Sequence, residues 1–281
     1  MNELPAVSQR GSFTRWSALG CEEGADELVE EMPLALVYNG ISHAVMLATP
    51  ADLEDFAVGF SLTEGVVDEV RQIYDVEPEI GCRGIELRLH IAASCMAALK
   101  ERRRTLAGRT GCGLCGVESL AEATRPVRRV PAGGCLSTDA LERACRQLAA
   151  SQPLHVRTGA SHAAAFADWT GALRLVREDV GRHNALDKLV GALARSRTDA
   201  AGGFALVTSR ASVEMVNKTA AAGIGVLAAL SAPTALAMRT AERARLTLVG
   251  FAGRGQRWVY AHPERIMSHC EAGAEPLEQA R

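Results

Sequence analysis

The chain is poor in aromatic residues and has almost no net charge. Aromatic residues make up 4% of its 281 residues, which argues against the stacking surfaces that bind single-stranded nucleic acid. The formal net charge is −2, so the chain as a whole lacks the basic excess of a DNA-binding protein. Hydrophobic residues make up 48%, and neither the 26 glycines nor the 10 prolines are periodic. These values exclude disordered, collagen-like and low-complexity proteins, and we expect a folded chain with a proper core.

The N-terminal residues 1–10 contain no long apolar run, so the chain lacks the pattern of a secretory signal peptide. In such a chain, scattered cysteines are typical of reduced thiols rather than of a disulfide framework. We therefore predict a cytoplasmic protein. The eight cysteines are Cys21, Cys82, Cys95, Cys112, Cys115, Cys135, Cys145 and Cys270.

Charge is distributed unevenly along the chain. Residues 1–80 contain 3 basic and 16 acidic residues, and the remaining residues contain 28 basic and 17 acidic ones. An acidic N-terminal part followed by a basic remainder favours an anionic small ligand or a polar partner. Residues 219–238 carry no charge at all, but they are mostly Ala and Gly and are interrupted by Pro233. This stretch predicts a buried strand between two helices rather than a membrane span.

The periodicity of apolar residues predicts an α/β protein, α+β overall, in two main parts. Asn39-Gly40 between two apolar runs predicts a β-hairpin in the first part. From Phe204 to Val249, strand and helix patterns alternate, which predicts parallel strands with right-handed crossovers. The predicted parts are an acidic, flexible lead (1–30), an α+β subdomain (31–104), a mobile loop rich in Gly, Cys and Arg (105–135), an α/β domain (136–265) and a tail (266–281).

The sharpest local signal is the segment Gly111-Cys112-Gly113-Leu114-Cys115-Gly116. Its glycines leave both sulfurs uncrowded, and residues 100–129 hold eight basic residues against three glutamates. Positive surroundings favour the thiolate, which is the nucleophilic form of cysteine. The segment therefore predicts that Cys112 and Cys115 are reactive, sulfur-carrying thiols on a mobile loop.

Three other interpretations of this cysteine pair stay open. A structural zinc site usually needs two close pairs of ligands, and the chain has one, so we expect no intrinsic metal. A thioredoxin-like centre would lie beside a βαβ pattern, and two structural cysteines would rarely share such a basic loop. Zinc deaminases have the pattern H-x-E followed by P-C-x-x-C. Here Ala164 takes the place of the glutamate after His162, and the CxxC comes first, so deaminase chemistry is not expected.

Polar residues follow three of the predicted strands. They are Asp179–His183, Ser209-Arg210 and the Gly-rich segment Phe251–Gln256. Because ligands bind beyond the carboxyl ends of parallel strands, we expect these segments to converge on one pocket. Gly-rich backbone beside arginine is suited to phosphate. The alternatives are helix capping for the first two segments and a simple hairpin turn for the third.

Taken together and in order, these segments resemble the formate dehydrogenase accessory sulfurtransferase family, FdhD. The resemblance covers roughly residues 30–265. The segments that carry it are Asn39-Gly40, Thr49-Pro50, Asp52-Leu53-Glu54, Gly59-Phe60, Glu64-Gly65, Gly111–Gly116, Ser161–Ala164, Glu178–Lys188 and Ser209–Ser212.

The resemblance implies a sulfur carrier that formate dehydrogenase needs for activity, a sulfurtransferase that works through a cysteine persulfide. A cysteine desulfurase would load sulfur onto Cys112, and Cys115 would be the second loop cysteine. The carrier would then sulfurate the molybdenum or tungsten bis(molybdopterin guanine dinucleotide) cofactor before its insertion into the catalytic subunit. The segment that binds this cofactor in the family corresponds to Phe251, Ala252, Gly253, Arg254, Gly255 and Gln256, with its arginines displaced from the expected spacing.

The resemblance also implies a C-terminal domain with a cytidine-deaminase-like, three-layer α/β fold and assembly into a homodimer. No nucleic acid and no membrane are expected among the partners. Two alternatives remain at this point. The chain is a non-catalytic chaperone that binds the cofactor or the dehydrogenase, or it is a redox protein in which the two loop cysteines form a reversible disulfide.

Overall fold

The structure, a computed structural model, describes residues 4–18, 20–107, 127–253 and 257–267. Helices and strands alternate through these residues, which confirms the predicted mixed α/β class. The chain divides into two units that interleave along the sequence. The first unit comprises residues 1–126, 152–163 and 177–197, and the second comprises residues 127–151, 164–176 and 198–281. The consecutive domain bounds expected from the sequence, and the cytidine-deaminase-like form of the second domain, remain predictions.

The first unit begins with a hairpin where the sequence predicted a flexible lead over residues 1–30. Strand β1 (Ser8–Ser17) pairs with β2 (Gly20–Val29) in antiparallel register along its whole length. Most of these side chains are exposed and none is buried, and the strands lack the apolar alternation from which a half-buried strand is recognised. Backbone pairing and ion pairs such as Arg15–Glu22, at 2.6 Å, hold the hairpin instead.

A four-stranded sheet with the order β4-β3-β6-β5 follows in the first unit. The predicted turn at Asn39-Gly40 is confirmed, and both residues have the positive φ angles, 46° and 81°, of a two-residue hairpin turn. Alternate residues of β6 are buried, and they pack with apolar residues of helices α1 and α2. The elements are β3 (Met32–Tyr38), β4 (Ile41–Ala48), α1 (Leu53–Thr63), β5 (Ile73–Gly81), β6 (Gly84–Ile91) and α2 (Ala93–Ala107).

Helix α1 crosses α5 (Arg182–Arg195) so closely that the two backbones touch. A Cβ atom on Gly59 would lie 1.7 Å from the carbonyl oxygen of Asp187. A Cβ atom on Gly191 would lie 1.8 Å from the carbonyl oxygen of Asp55. Both positions therefore require glycine. The short helix α4 (Pro153–Thr158) also belongs to this unit.

A six-stranded sheet with the order β13-β12-β11-β10-β8-β9 has most of its residues in the second unit, although the last residues of β9, 177–179, are assigned to the first. The predicted parallel arrangement is confirmed for β10, β11 and β12. These three strands are buried throughout, as expected for parallel strands covered on both faces. The strands are β8 (His162–Asp168), β9 (Leu173–Asp179), β10 (Gly203–Val207), β11 (Val226–Ala229), β12 (Thr247–Gly250) and β13 (Trp258–Ala261).

Among the described residues, the second unit contains the α-helices α3 (Thr138–Ala150), α6 (Val213–Ala221) and α7 (Ala235–Ala244). Strand β7 (Leu136–Ser137) pairs with β14 (Ile266–Met267). The uncharged stretch 219–238 holds β11 between α6 and α7, as predicted. Among the described residues, no helix is both long enough and apolar enough to span a membrane.

Candidate functional site

The two loop cysteines and half of the predicted cofactor segment lie outside the described residues. Cys112 and Cys115 fall within residues 108–126, and Arg254, Gly255 and Gln256 make up residues 254–256, both outside the described ranges. Their roles therefore remain predictions. The described part of the candidate site consists of the residues that follow the parallel strands and the cysteines elsewhere in the chain.

The five described cysteines are free thiols. Cys21, Cys82 and Cys135 are exposed, whereas Cys95 and Cys145 are buried. Burial raises the pKa of Cys145 to about 11, which keeps this thiol protonated at neutral pH. Its Sγ donates a hydrogen bond to the carbonyl oxygen of Ala252 at 3.5 Å. Cys145 is thus a weak nucleophile that contacts the backbone of the predicted cofactor segment.

Asp179, which the sequence placed in a ligand pocket, is fully buried in the first unit. Its Oδ2 lies 2.7 Å from Nζ of Lys188, and neither side chain has any exposed surface. The backbone N–H of Thr49 donates to the same oxygen at 3.0 Å, and Lys188 donates to the carbonyl oxygen of Thr49 at 2.9 Å. Gly181 N and Asn184 Nδ2 donate to Oδ1 at 2.7 and 3.0 Å. Asp179 is therefore held by the fold, and the prediction that it faces a ligand is wrong.

Glu178 also serves the local structure. Its carboxylate accepts hydrogen bonds from the backbone N–H groups of Leu154 and His155, at 2.9 and 2.8 Å, at the start of α4. The hydroxyl of Ser161 donates to it as well, at 2.8 Å. A carboxylate at a helix N-terminus satisfies N–H groups that have no partner within the helix. Glu178 thus caps α4, a role that the sequence did not predict for it.

The strand ends of the second unit are arranged differently. Ser209-Arg210 follows β10 and Phe251–Gly253 follows β12, on either side of β11. The N–H of Phe251 donates to Ser231 O at 3.2 Å, and that of Ala252 donates to Ala229 O at 3.1 Å. These hydrogen bonds place the Phe251–Gly253 backbone against the end of β11. The structure thus brings these two predicted segments to one edge of the sheet.

Two groups at this edge of the sheet are accessible to a ligand. The side chain of Arg210 and the backbone of Gly253 are exposed, whereas Ser209 is buried and donates to Arg210 O at 3.1 Å. An exposed guanidinium group beside open glycine backbone provides donors for a phosphate. Helix α3 contacts both ends of the loop after β12, through Cys145 and through Glu142, which accepts from Arg257 at 2.9 Å. Sequence reasoning missed these two helix contacts, because their spacing carries no motif.

The residues described offer no cluster of three His, Cys, Asp or Glu side chains suited to a metal ion. Ala164, at the position of the deaminase glutamate, is fully buried in β8. Burial, together with the nearby charges of Arg182 and His155, lowers the pKa of His162. The loop cysteines lie outside this search, so the expectation of no intrinsic metal stays a prediction.

Comparisons with known proteins agree on one family. The sequence profile of the FdhD/NarQ family matches residues 29–267. A protein named Sulfur carrier protein FdhD from Cupriavidus necator is 56% identical over 262 residues, which cover 93% of this chain and 91% of that protein. Its namesake from Bordetella petrii is 54% identical over 252 residues, covering 90% and 91% of the two chains.

A solved structure shows a similar fold. The crystal structure of a protein described as a formate dehydrogenase accessory protein, from Desulfotalea psychrophila, aligns with a TM-score of 0.73. The alignment covers 93% of this chain and 100% of that chain at 23% sequence identity. At this identity the likeness supports the fold alone.

Proposed function

Because the chain belongs to the FdhD/NarQ family, we propose that it is a sulfur carrier required for formate dehydrogenase activity. One observation carries the proposal. The Gly111–Gly116 segment, with two thiols among basic residues, lies inside the range matched by the family. Relatives that align over nine-tenths of their length are named sulfur carrier proteins, and a sulfur carrier needs an accessible nucleophilic thiol.

The loading step is a thiol exchange that needs no outside oxidant. The thiolate of Cys112 attacks the terminal sulfur of a persulfide on a cysteine desulfurase. A new S–S bond forms on Cys112 while the S–S bond of the donor breaks, and the donor cysteine leaves as a thiolate. The basic residues around the loop stabilise the attacking anion, and Cys115 assists in the later transfer.

The acceptor is the molybdenum or tungsten bis(molybdopterin guanine dinucleotide) cofactor, sulfurated before its insertion into the formate dehydrogenase catalytic subunit. The strand ends of the second unit support this assignment, because exposed Arg210 and open backbone at Gly253 suit the phosphates of a dinucleotide. Phe251, Ala252 and Gly253 begin the binding segment, and Arg254, Gly255 and Gln256 complete it. The carrier works in the cytoplasm as a homodimer.

Mass spectrometry of the loop peptide tests the proposal. After incubation with a cysteine desulfurase and cysteine, we expect one additional sulfur on Cys112. Cys112→Ala should abolish loading and leave formate dehydrogenase inactive, while Cys115→Ala should load but transfer sulfur more slowly. Cys82→Ala is the matched control, because Cys82 is an exposed thiol in the turn between β5 and β6. This control should load like the wild type.

Three outcomes would contradict the proposal in different ways. Equal sulfur loading of wild type and Cys112→Ala, with full maturation of the dehydrogenase, would contradict the assignment of Cys112. Cofactor binding without any persulfide would indicate a non-catalytic chaperone. A reversible disulfide between Cys112 and Cys115 in place of a persulfide would indicate a redox protein.

A further inference from the structure

Three aromatic side chains gather where the loop between β12 and β13 meets the sheet. We call Phe251, Trp258 and Tyr260 the aromatic cluster. The ring centroids of Phe251 and Trp258 are 5.3 Å apart, and those of Trp258 and Tyr260 are 6.4 Å apart. The whole chain has only six Phe, three Trp and three Tyr, so three of them within ten residues is a marked local concentration.

The backbone around the aromatic cluster makes room for it. Gly250 of β12 stands opposite Trp258 in the register of the two strands. A Cβ atom on Gly250 would lie 2.9 Å from Cε2 of Tyr260 and 2.9 Å from Cδ of Pro233. A side chain at Gly250 would therefore force Tyr260 or Pro233 to move. Phe251 has a φ angle of 54°, a left-handed conformation that is unfavourable for a residue with a side chain. In this conformation the Phe251 ring packs against Trp258.

Trp258 remains open to solvent in spite of these contacts. It is 54% exposed, and β13 is the edge strand of the six-stranded sheet. The T-shaped contact with Phe251 braces the indole without covering it. A large, fixed and half-exposed ring contributes little to a core, and such rings are typical of sites where another flat ring stacks.

We propose that Trp258, braced by Phe251, stacks against a 2-amino-4-oxopyrimidine ring of the cofactor. This inference rests on the proposed function, since it names the part of the cofactor that Trp258 contacts. Guanine and pterin share this ring, and both occur in the proposed acceptor. Trp258 then determines specificity for the heterocycle, while Arg210 and the backbone at Gly253 contact phosphate.

Binding titrations with three probes test the stacking. GDP supplies guanine with phosphates, pterin supplies the second heterocycle without phosphates, and inorganic pyrophosphate supplies phosphates alone. We expect Trp258→Ala to weaken binding of GDP, of pterin or of both by about tenfold, the order expected when one stacked base is lost. Trp258→Phe should retain most of the affinity. Pyrophosphate should bind equally well to all variants.

Trp16→Ala is the matched control, because Trp16 on β1 is 78% exposed and belongs to the first unit. This variant should bind all probes like the wild type. Tryptophan fluorescence gives a second readout: GDP or pterin should quench the wild type and Trp16→Ala, and this quenching should be lost in Trp258→Phe. Circular dichroism of each variant checks that the fold is retained.

The outcomes separate the two proposals. Loss of affinity for GDP alone assigns guanine to Trp258, and loss for pterin alone assigns the pterin. Wild-type affinity of Trp258→Ala for both heterocycles would overturn the stacking inference and leave the sulfur carrier proposal intact. If the wild type binds neither heterocycle, the cofactor segment itself is wrongly assigned, whereas persulfide loading of Cys112 is tested independently.

Discussion

Charged residues that follow two different predicted strands look alike in the sequence but have opposite surroundings in the structure. Asp179 and Lys188 in the first unit are completely buried, and their charged groups are hydrogen-bonded to each other and to nearby backbone. Arg210 in the second unit is exposed at the end of a parallel strand. A charged residue after a strand is therefore not by itself a sign of a binding site. Burial decides whether it supports the fold or is available to a ligand.

The buried cluster is costly to form. Moving two charges out of water carries a large desolvation penalty, which is offset only if both groups are fully hydrogen-bonded. Asp179 meets this condition through Thr49, Gly181 and Asn184, and Lys188 does so through Asp179 and Thr49. Exposed Arg210 remains solvated and bears no such penalty. Replacing Asp179 or Lys188 should therefore lower the free energy of unfolding far more than replacing Arg210.

The largest effect should come from Lys188→Met. This variant leaves the Asp179 carboxylate buried without its counter-charge, and we expect the free energy of unfolding to fall by about 3–5 kcal/mol. Urea denaturation followed by circular dichroism measures the change. Arg210→Met is the matched control and should alter the free energy of unfolding by no more than about 0.5 kcal/mol. Similar losses of stability in both variants would contradict the difference expected between the buried Asp179–Lys188 pair and exposed Arg210.

A smaller effect is expected where α1 crosses α5. In Gly191→Ala the new Cβ atom would lie 1.8 Å from Asp55 O, so the two helices must move apart. Overpacking of this kind costs about 1–3 kcal/mol and occasionally more. Gly133→Ala serves as the control from the second unit, because a Cβ atom there would meet nothing within 4 Å. Unfolding in urea should separate the two variants, and equal midpoints would argue against the close crossing.

The smallest effect concerns Asp168, a half-buried carboxylate at the end of β8. A hydrogen bond from the Thr170 hydroxyl, with further ones from Arg174 and the backbone, lowers the pKa of Asp168 to about 2. Since its ordinary value is 3.8, the carboxylate stabilises the fold above pH 4, and this contribution disappears as the pH falls through about 2. Solvent screening keeps it below about 1 kcal/mol.

Asp168→Asn should therefore lower the thermal midpoint at pH 6 by a few degrees. The difference between variant and wild type should shrink when both are measured near pH 2.5. Thr170→Val, which removes the hydroxyl donor, should show the same dependence on pH with a smaller amplitude. A difference that stays constant between the two pH values would rule out titration of Asp168 as its cause.

Much of the fold could be predicted because short stretches of sequence specify its turns and strands. Asn39-Gly40 adopts the positive φ angles of a hairpin turn, and β6 alternates between buried and exposed residues as its sequence does. The uninterrupted apolar pattern of β10 to β12 indicated buried parallel strands. The hairpin of β1 and β2 could not be predicted in this way. Its side chains face solvent, so its pairing depends on backbone groups that every sequence has.

The sequence by itself determined which segments form helices, strands and turns over most of the described chain, since periodicity and turn chemistry act over a few residues. The tertiary structure decided which polar residues are buried. Asp179 is a structural residue only because Thr49, 130 positions earlier, donates to it and Lys188 is buried beside it. Trp258 is braced only because Gly250 and Phe251 of the preceding strand end lie against β13. Desolvation and hydrogen bonding depend on neighbours in space, and only the folded chain brings those neighbours together.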